Sequence, residues 1–157
     1  MPEIRYETVK HIECKETGFK EGDIVVGVSY WYRTTTTWYR ILKVTNKEVT
    51  LEELPTSYPT KYMSNTPGSE CVPVLKYGEE YYVNPNFPFW LGPTKTGIVK
   101  ARPYKIREYE IWYNEDGSKK IIHPKEKKWE YHLKLSNDRY KPSLSLWDGK
   151  PGWVNCD

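Results

Sequence analysis

Cysteine is scarce in this chain of 157 residues, and the three present, Cys14, Cys71 and Cys156, form no CxxC pair. Their spacing indicates neither a disulfide framework nor a zinc knuckle. The chain also lacks an apolar run of about 18 residues, the length that a membrane-spanning helix needs. Its first residues, MPEIRYETVK, contain no apolar segment typical of a secretion signal. We therefore expect a cytoplasmic protein with no membrane association.

An excess of charge of one sign is also missing. The chain has 24 basic and 21 acidic residues, which gives a formal net charge of +3. Domains dedicated to nucleic-acid binding are usually far more basic than this. Strong binding of duplex DNA is therefore not expected.

Signals for catalysis and for cofactors are absent from the sequence. It contains no GxxxxGK[ST] or GxGxxG phosphate-binding loop. No serine, threonine or cysteine stands in a recognisable arrangement with a base and an orienting group. His11 and Cys14 form an HxxC pair with no second half, so neither a metal nor a cofactor is predicted. We predict a non-catalytic protein; a small hydrolase or nuclease that uses His123 or His132 is the lesser alternative.

Aromatic residues, in contrast, are abundant. They make up 15% of the chain and include 14 tyrosines and seven tryptophans. Each large ring buries roughly 150 to 250 Å², so a core with few aliphatic residues can be sufficient. Apolar and polar residues alternate over residues 23–32, 38–44 and 48–54, which is typical of half-buried strands. These runs predict an SH3-like, three-stranded antiparallel meander at the front of the chain.

The middle of the chain changes character. Residues 55–97 contain seven prolines and four glycines, which rules out a long helix there. This stretch is predicted to be a long loop with short strands at residues 70–74 and 80–83. Alternation then resumes, with a hairpin around Asp116-Gly117 and a strand over residues 129–135. Residues 2–16 are compatible with a short helix.

Together these patterns predict a mainly β fold, with residues 1–157 forming a single small domain. Closure of a sheet removes exposed edges, so the expected architecture is a strongly bent antiparallel sheet or a small barrel. A two-layer sandwich is the alternative. The tail SLSLWDGKPGW is predicted to close the sheet against the meander, with Trp147 covering the apolar interior. Stacking of Trp147 or Trp153 on a ligand is the other interpretation of this segment.

Two segments combine rings with basic side chains. Residues 30–40 read YWYRTTTTWYR, and residues 100–109 alternate lysine and arginine with tyrosine. Rings stack on nucleobases and arginine forks hold phosphate. The alternative is that these rings build the core while the arginines face water. The predicted ligand-binding residues are Tyr30, Trp31, Arg33, Trp38, Arg40, Arg102 and Arg107.

The segments GDIVVGVSYWYRTTTTWYRILKVTNKEVTLEEL and SLSLWDGKP give the chain a resemblance to small uncharacterised proteins encoded by bacteriophages and mobile elements. The resemblance rests on a strand that begins with Gly22-Asp23, a segment rich in serine, tyrosine and threonine, and the terminal LWDGKP. It covers about a third of the chain. The middle region and the Asp116-Gly117 hairpin depart from the pattern. The resemblance implies a mobile-element origin, and hence a place in the host cytoplasm, but no particular chemistry.

We therefore predict a phage-type accessory protein that captures an anionic, base-containing ligand. A nucleotide is the expected class, and a signal nucleotide of host defence is the specific expectation. The rival hypothesis is a protein that inhibits a host enzyme or defence complex through the same surface, because tyrosine, tryptophan and arginine also dominate protein interfaces. Edge strands and surplus aromatic residues favour a homo-oligomer.

Overall fold

Regular structure in this chain is almost entirely β-strand. A computed structural model describes residues 2–29, 35–60, 68–91, 97–136 and 143–154. Within these ranges the only helical segment is a short 3-10 turn at Cys14–Glu16, and no helix has the length and apolarity needed to cross a bilayer. The strands are β1 (Glu3–Lys10), β2 (Ile24–Ser29), β3 (Thr35–Val44), β4 (Val49–Leu54), β5 (Thr56–Tyr58), β6 (Ser69–Pro73), β7 (Leu75–Tyr77), β8 (Glu80–Tyr82), β9 (Phe89–Leu91), β10 (Ile98–Tyr113), β11 (Lys119–Ile122), β12 (Glu130–Leu135), β13 (Ser145–Leu146) and β14 (Gly152–Val154).

The predicted meander is confirmed as β2, β3 and β4. β2 pairs antiparallel with β3, and β3 pairs antiparallel with β4. A bulge between Ile41 and Lys43 shifts the register of the second pair. Bulges bend a strand and increase its twist, so this irregularity contributes to the curvature of the sheet.

The longest strand, β10, organises the remainder of the large sheet. On one edge its residues 98–101 pair with β4 and its residues 104–111 pair with β1. On the other edge residues 101–106 pair with β12 and residues 110–113 pair with β11. The resulting eight-stranded sheet has the order β1-β10-β4-β3-β2-β13, with β11 and β12 attached to β10.

The sheet curls until its far end returns to β12. β13 pairs with β2, and the preceding residue, Leu144, exchanges two backbone hydrogen bonds with Leu133, both of 2.8 Å. These contacts place residues 144–146 between β2 and β12, and β12 is itself paired with β10. The predicted strongly bent antiparallel sheet is thus confirmed as a curled half-barrel.

Two buried clusters lie on opposite faces of the sheet. Successive residues of β3 point to opposite faces, so Tyr39 enters the inner cluster with Ile41, and Trp38 enters the outer one. Leu133 and Leu144 close the inner cluster. The sheet is therefore covered on both faces at β3, and this accounts for the burial of a tryptophan and a tyrosine at adjacent positions.

The outer cluster is covered by a second, smaller sheet with the order β14-β6-β5-β9. Its strands β5, β6 and β9, together with the β7–β8 hairpin, come from residues 55–97. The short strands predicted at residues 70–74 and 80–83 are confirmed, but the description of this region as a loop was incomplete, because three further strands lie in it. Short peripheral strands tolerate proline where it ends a ladder, as Pro73 does at the end of β6.

The N-terminal segment corrects another expectation. Residues 3–10 form a strand instead of a short helix, with eight consecutive residues in register with β10. Pairing with a distant strand overrides a weak local preference. This change places the side chains of β1 next to those of β10.

The tail confirms the predicted closing role of Trp147. Its ring meets Trp38 edge to face at a centroid distance of 5.5 Å and packs against the outer cluster. Its indole N–H donates to the carbonyl of Lys150 at 2.8 Å, and its backbone N–H donates to Ile24 at 2.9 Å. Gly149 turns the chain with a φ of 84°, a conformation that favours glycine.

Candidate ligand-binding grooves

One face of β1, β10 and β12 gathers side chains that are far apart in the sequence. Arg102 lies opposite Lys134, and Lys10 lies opposite Tyr104. Directly opposed residues project on the same side of a sheet, and residues two apart along a strand share that side. The even-numbered residues of the three strands therefore form one surface.

A groove of about 470 Å³ opens on this surface, within the range of about 300 to 1,000 Å³ typical of small-molecule sites. We call it the basic groove. Its basic side chains are Lys10, His11, Arg102 and Lys134, and none of the described residues that line it is acidic. Hydroxyl groups are supplied by Thr8, Tyr104, Ser136 and Ser143.

The cations of the basic groove are not neutralised within the part of the chain that the structure describes. None of the salt bridges between described residues involves Lys10, Arg102 or Lys134. Several like charges in one concave surface create a positive potential that attracts an anion. The groove thus has the electrostatic character of an anion site.

His11 follows directly after β1 and adopts a positive φ of 63°. This conformation is uncommon for residues other than glycine, although histidine adopts it more often than most. Strained backbone positions of this kind cluster at functional sites. The turn places His11 in the lining of the basic groove beside Lys10.

Tyr104 marks the border of the basic groove. Its ring stacks on His132, with centroids 5.6 Å apart and an angle of 22° between the planes. Its hydroxyl shares a hydrogen bond with the hydroxyl of Ser143. These contacts fix the orientation of the Tyr104 ring next to the cations.

A second groove, of about 660 Å³, continues beyond Tyr104 and shares Tyr104, Ile106 and Ser143 with the first. We call it the mixed groove, because it is lined by both acids and bases. Its rings are Tyr6, Tyr104, Trp129 and His132, and its carboxylates are Glu108, Glu126 and Glu130.

The described part of the first predicted binding segment, residues 35–40, does not line these grooves. Tyr30, Trp31 and Arg33 lie outside the described residues. Trp38 is fully buried in the outer cluster, so its ring has no free face for a ligand and serves the interior instead. Arg40 is partly buried and lies opposite Glu52 in β4.

The structure separates the two arginines predicted in the second segment. Arg102 is exposed and lines the basic groove. Arg107 lies five residues further on and is among the residues that line the mixed groove. There its Nε donates to Glu7 at 2.7 Å and its guanidinium lies 4.4 Å from the centre of the Trp129 ring. Its charge is therefore already engaged within the protein.

Lys10, His11 and Lys134 were missed by the sequence prediction as members of an anion site. Each is an ordinary residue in a mixed-charge segment, and only the pairing of β1 and β12 with β10 brings them to Arg102. Alternation in residues 129–135 did place Lys134 on the polar face. Nothing in the sequence indicated that β1, which carries Lys10, pairs with the other edge of β10.

The described cysteines are poorly suited to nucleophilic chemistry. Cys14 and Cys71 are both buried. Burial raises the pKa of the Cys71 thiol to about 12, and burial likewise raises the pKa of Cys14. Both thiols are therefore protonated near neutral pH, whereas the thiolate is the reactive form. Among the residues that the structure describes, no group of three or more histidine, cysteine or acidic side chains could hold a metal ion.

No protein-family model, curated protein or solved structure matches this chain.

Proposed function

We propose that this protein binds an anionic, base-containing ligand, of the nucleotide class, with the anion in the basic groove. The observation that carries the proposal is the presence of Lys10, His11, Arg102 and Lys134 in a groove whose described lining includes no acidic residue. Phosphate groups are bound by arginine forks and by lysine ammonium groups. A ligand phosphate would provide the counter-charge that the described residues do not supply.

The neighbouring rings support the base-containing part of the ligand. Tyr104 and His132 form a stacked pair beside the cations. An aromatic face contributes roughly 1 to 3 kcal/mol per stacked base. Hydroxyl groups from Thr8, Ser136 and Ser143 line the same groove and can bond to phosphate or ribose oxygens.

We propose capture without chemical change. The two described thiols are buried, and among the described lining residues no hydroxyl is hydrogen-bonded to a histidine that could act as its base. The resemblance to phage proteins adds a biological context to the proposal: the ligand would be a signal nucleotide of host defence, sequestered in the cytoplasm of the infected cell.

The rival function, inhibition of a host protein, is favoured by a different surface. The β10–β11 hairpin exposes Trp112, Tyr113 and Ile121, which are 43%, 57% and 54% accessible. Tryptophan and tyrosine are the residues most enriched at binding hot spots. β1 is an edge strand of the large sheet, so pairing with a second copy there is the form in which a homo-oligomer is proposed.

Equilibrium dialysis against a library of nucleotides, followed by mass spectrometry of whatever stays bound, tests the proposal. We expect an intact nucleotide to be retained, with an affinity that falls as salt is raised. A chemically altered product would favour the hydrolase or nuclease alternative. A protein that retains no nucleotide but captures a host polypeptide through the hairpin would favour the rival.

The groove itself is tested by the double substitution Arg102→Ala and Lys134→Ala. Hydrogen bonds to charged groups contribute about 1.5 to 3 kcal/mol each, so we expect the affinity for the retained nucleotide to fall at least about 100-fold. The matched control is Lys43→Ala with Lys47→Ala, which removes the same charge from exposed positions outside both grooves. Equal affinity in the two double variants would refute the assignment of the site.

A further inference from the structure

The basic and mixed grooves form a single trench along β10, because they share Tyr104, Ile106 and Ser143. Three successive pairs of opposed residues form its floor. Arg102 lies opposite Lys134, Tyr104 opposite His132, and Ile106 opposite Glu130. All six project from the same face of the sheet, because the side-chain period of a strand is two.

The three rows differ in chemistry and follow a fixed order. The first row carries two cations, the second a stacked pair of rings, and the third a carboxylate beside an apolar side chain. Rows two residues apart are separated by roughly 7 Å, so the cations and the carboxylate lie roughly 13 Å apart along β10. This span is comparable to the distance from the phosphate to the far edge of the base in a nucleoside monophosphate.

Glu130 is the carboxylate on the floor of this trench, because Glu126 lies outside β12 and Glu108 is not among the three opposed pairs. Its side chain is 76% exposed, and among the described residues its polar contact is with His132, between Oε2 and Nε2 at 3.4 Å. Glu108, in contrast, is bound by Lys127 at 3.0 Å and by the Tyr6 hydroxyl at 3.4 Å. Glu130 therefore keeps acceptor capacity at the end of the trench opposite the cations.

A carboxylate prefers a partner that offers two neighbouring N–H groups, because its two oxygens accept them side by side. Guanine has this arrangement at N1 and the 2-amino group. Adenine and cytosine place a donor beside an acceptor, and uracil places its N–H between two carbonyls. We infer that the trench is selective for a guanine nucleotide, with the phosphate at Arg102 and Lys134, the base over Tyr104 and His132, and the base edge at Glu130. The inference rests on the proposed function and specifies its ligand.

Isothermal titration with guanosine 5′-monophosphate and inosine 5′-monophosphate tests this selectivity. The two ligands share the phosphate, the sugar and the ring system, and inosine lacks only the 2-amino group. A good bidentate contact discriminates between bases by roughly 1 to 3 kcal/mol, so the guanine ligand should bind about fivefold to 160-fold tighter. In Glu130→Gln the second acceptor is replaced by a donor, and the ratio of the two affinities should fall to near one.

The matched control is Glu115→Gln, the same change at an exposed position in the β10–β11 turn, which should keep the full ratio. Circular dichroism verifies that both variants are folded. Equal binding of the two ligands to the unaltered protein, or a ratio that persists in Glu130→Gln, would overturn the guanine assignment while leaving nucleotide capture intact. If neither ligand nor any other nucleotide binds, the inference and the proposed function both fail.

Discussion

Replacement of Trp147 by alanine tests whether the tail closes the fold. The indole ring packs edge to face on Trp38, at a centroid distance of 5.5 Å, and lies against the outer cluster. Removing a buried tryptophan typically costs about 3 to 5 kcal/mol. Because Trp147 is only partly buried, we expect the free energy of unfolding to fall by about 3 kcal/mol.

A second variant divides this loss into its parts. Trp147→Phe keeps an aromatic ring against Trp38 but removes the indole N–H that donates to the carbonyl of Lys150 at 2.8 Å. A net hydrogen bond is worth about 1 kcal/mol. The phenylalanine variant should therefore lose about 1 to 2 kcal/mol, partly from the bond and partly from the smaller ring.

Urea unfolding followed by far-ultraviolet circular dichroism measures these losses without depending on tryptophan fluorescence. The control is Trp112→Ala, which removes the same side chain from the exposed hairpin, where it is 43% accessible; its loss should stay below about 1 kcal/mol. If Trp147→Ala is no more destabilising than Trp112→Ala, the tail does not hold the sheet closed. Loss of nucleotide affinity at full stability would instead indicate that Trp147 stacks on a ligand.

Two further predictions concern the packing of β14 and the two buried thiols. In Gly68→Ala the new Cβ would clash with the ring of Trp153, so we expect thermal or urea unfolding to show a loss of about 1 to 2 kcal/mol. The control is Gly97→Ala, whose new Cβ meets nothing within 4 Å. Equal stability of the two variants would contradict the packing of β14. In a Cys156→Ser protein at about pH 8, Cys14 and Cys71 should not react with a thiol reagent until denaturant is added. Both thiols are buried, and their raised pKa values keep them protonated. Rapid labelling of the native protein would show instead that these thiols are accessible.

The strands of the meander could be predicted from the sequence because their signal is local. Alternation and β-branched residues mark residues 23–32 and 48–54, and Asp116-Gly117 marks its hairpin. The N-terminal segment was misread as a short helix because its preference is weak and its partner strand is about 100 residues away, with Glu3 opposite Ile111. Residues 55–97 were read as a loop for a similar reason, since strands of three residues carry too little periodicity to be recognised.

The candidate binding site, like the fold, could be predicted only where its residues are close together in the sequence. Arg102 was identified because basic and aromatic residues alternate around it within one segment. Lys10, His11 and Lys134 could not be assigned to it, because only the pairing of three strands joins them. Trp38 was chosen as a ligand-stacking ring because the sequence cannot distinguish a buried ring from an exposed one when both faces of a sheet are covered.

The sequence alone determined that this chain forms a bent antiparallel sheet, because side-chain alternation and turn residues act over a few positions. It also showed that aromatic and basic side chains are abundant along the strands. Tertiary structure decided which of those rings are buried, which cations are neutralised, and which remain together in a groove. These outcomes depend on strand register, which is fixed by contacts between segments that are distant in the chain.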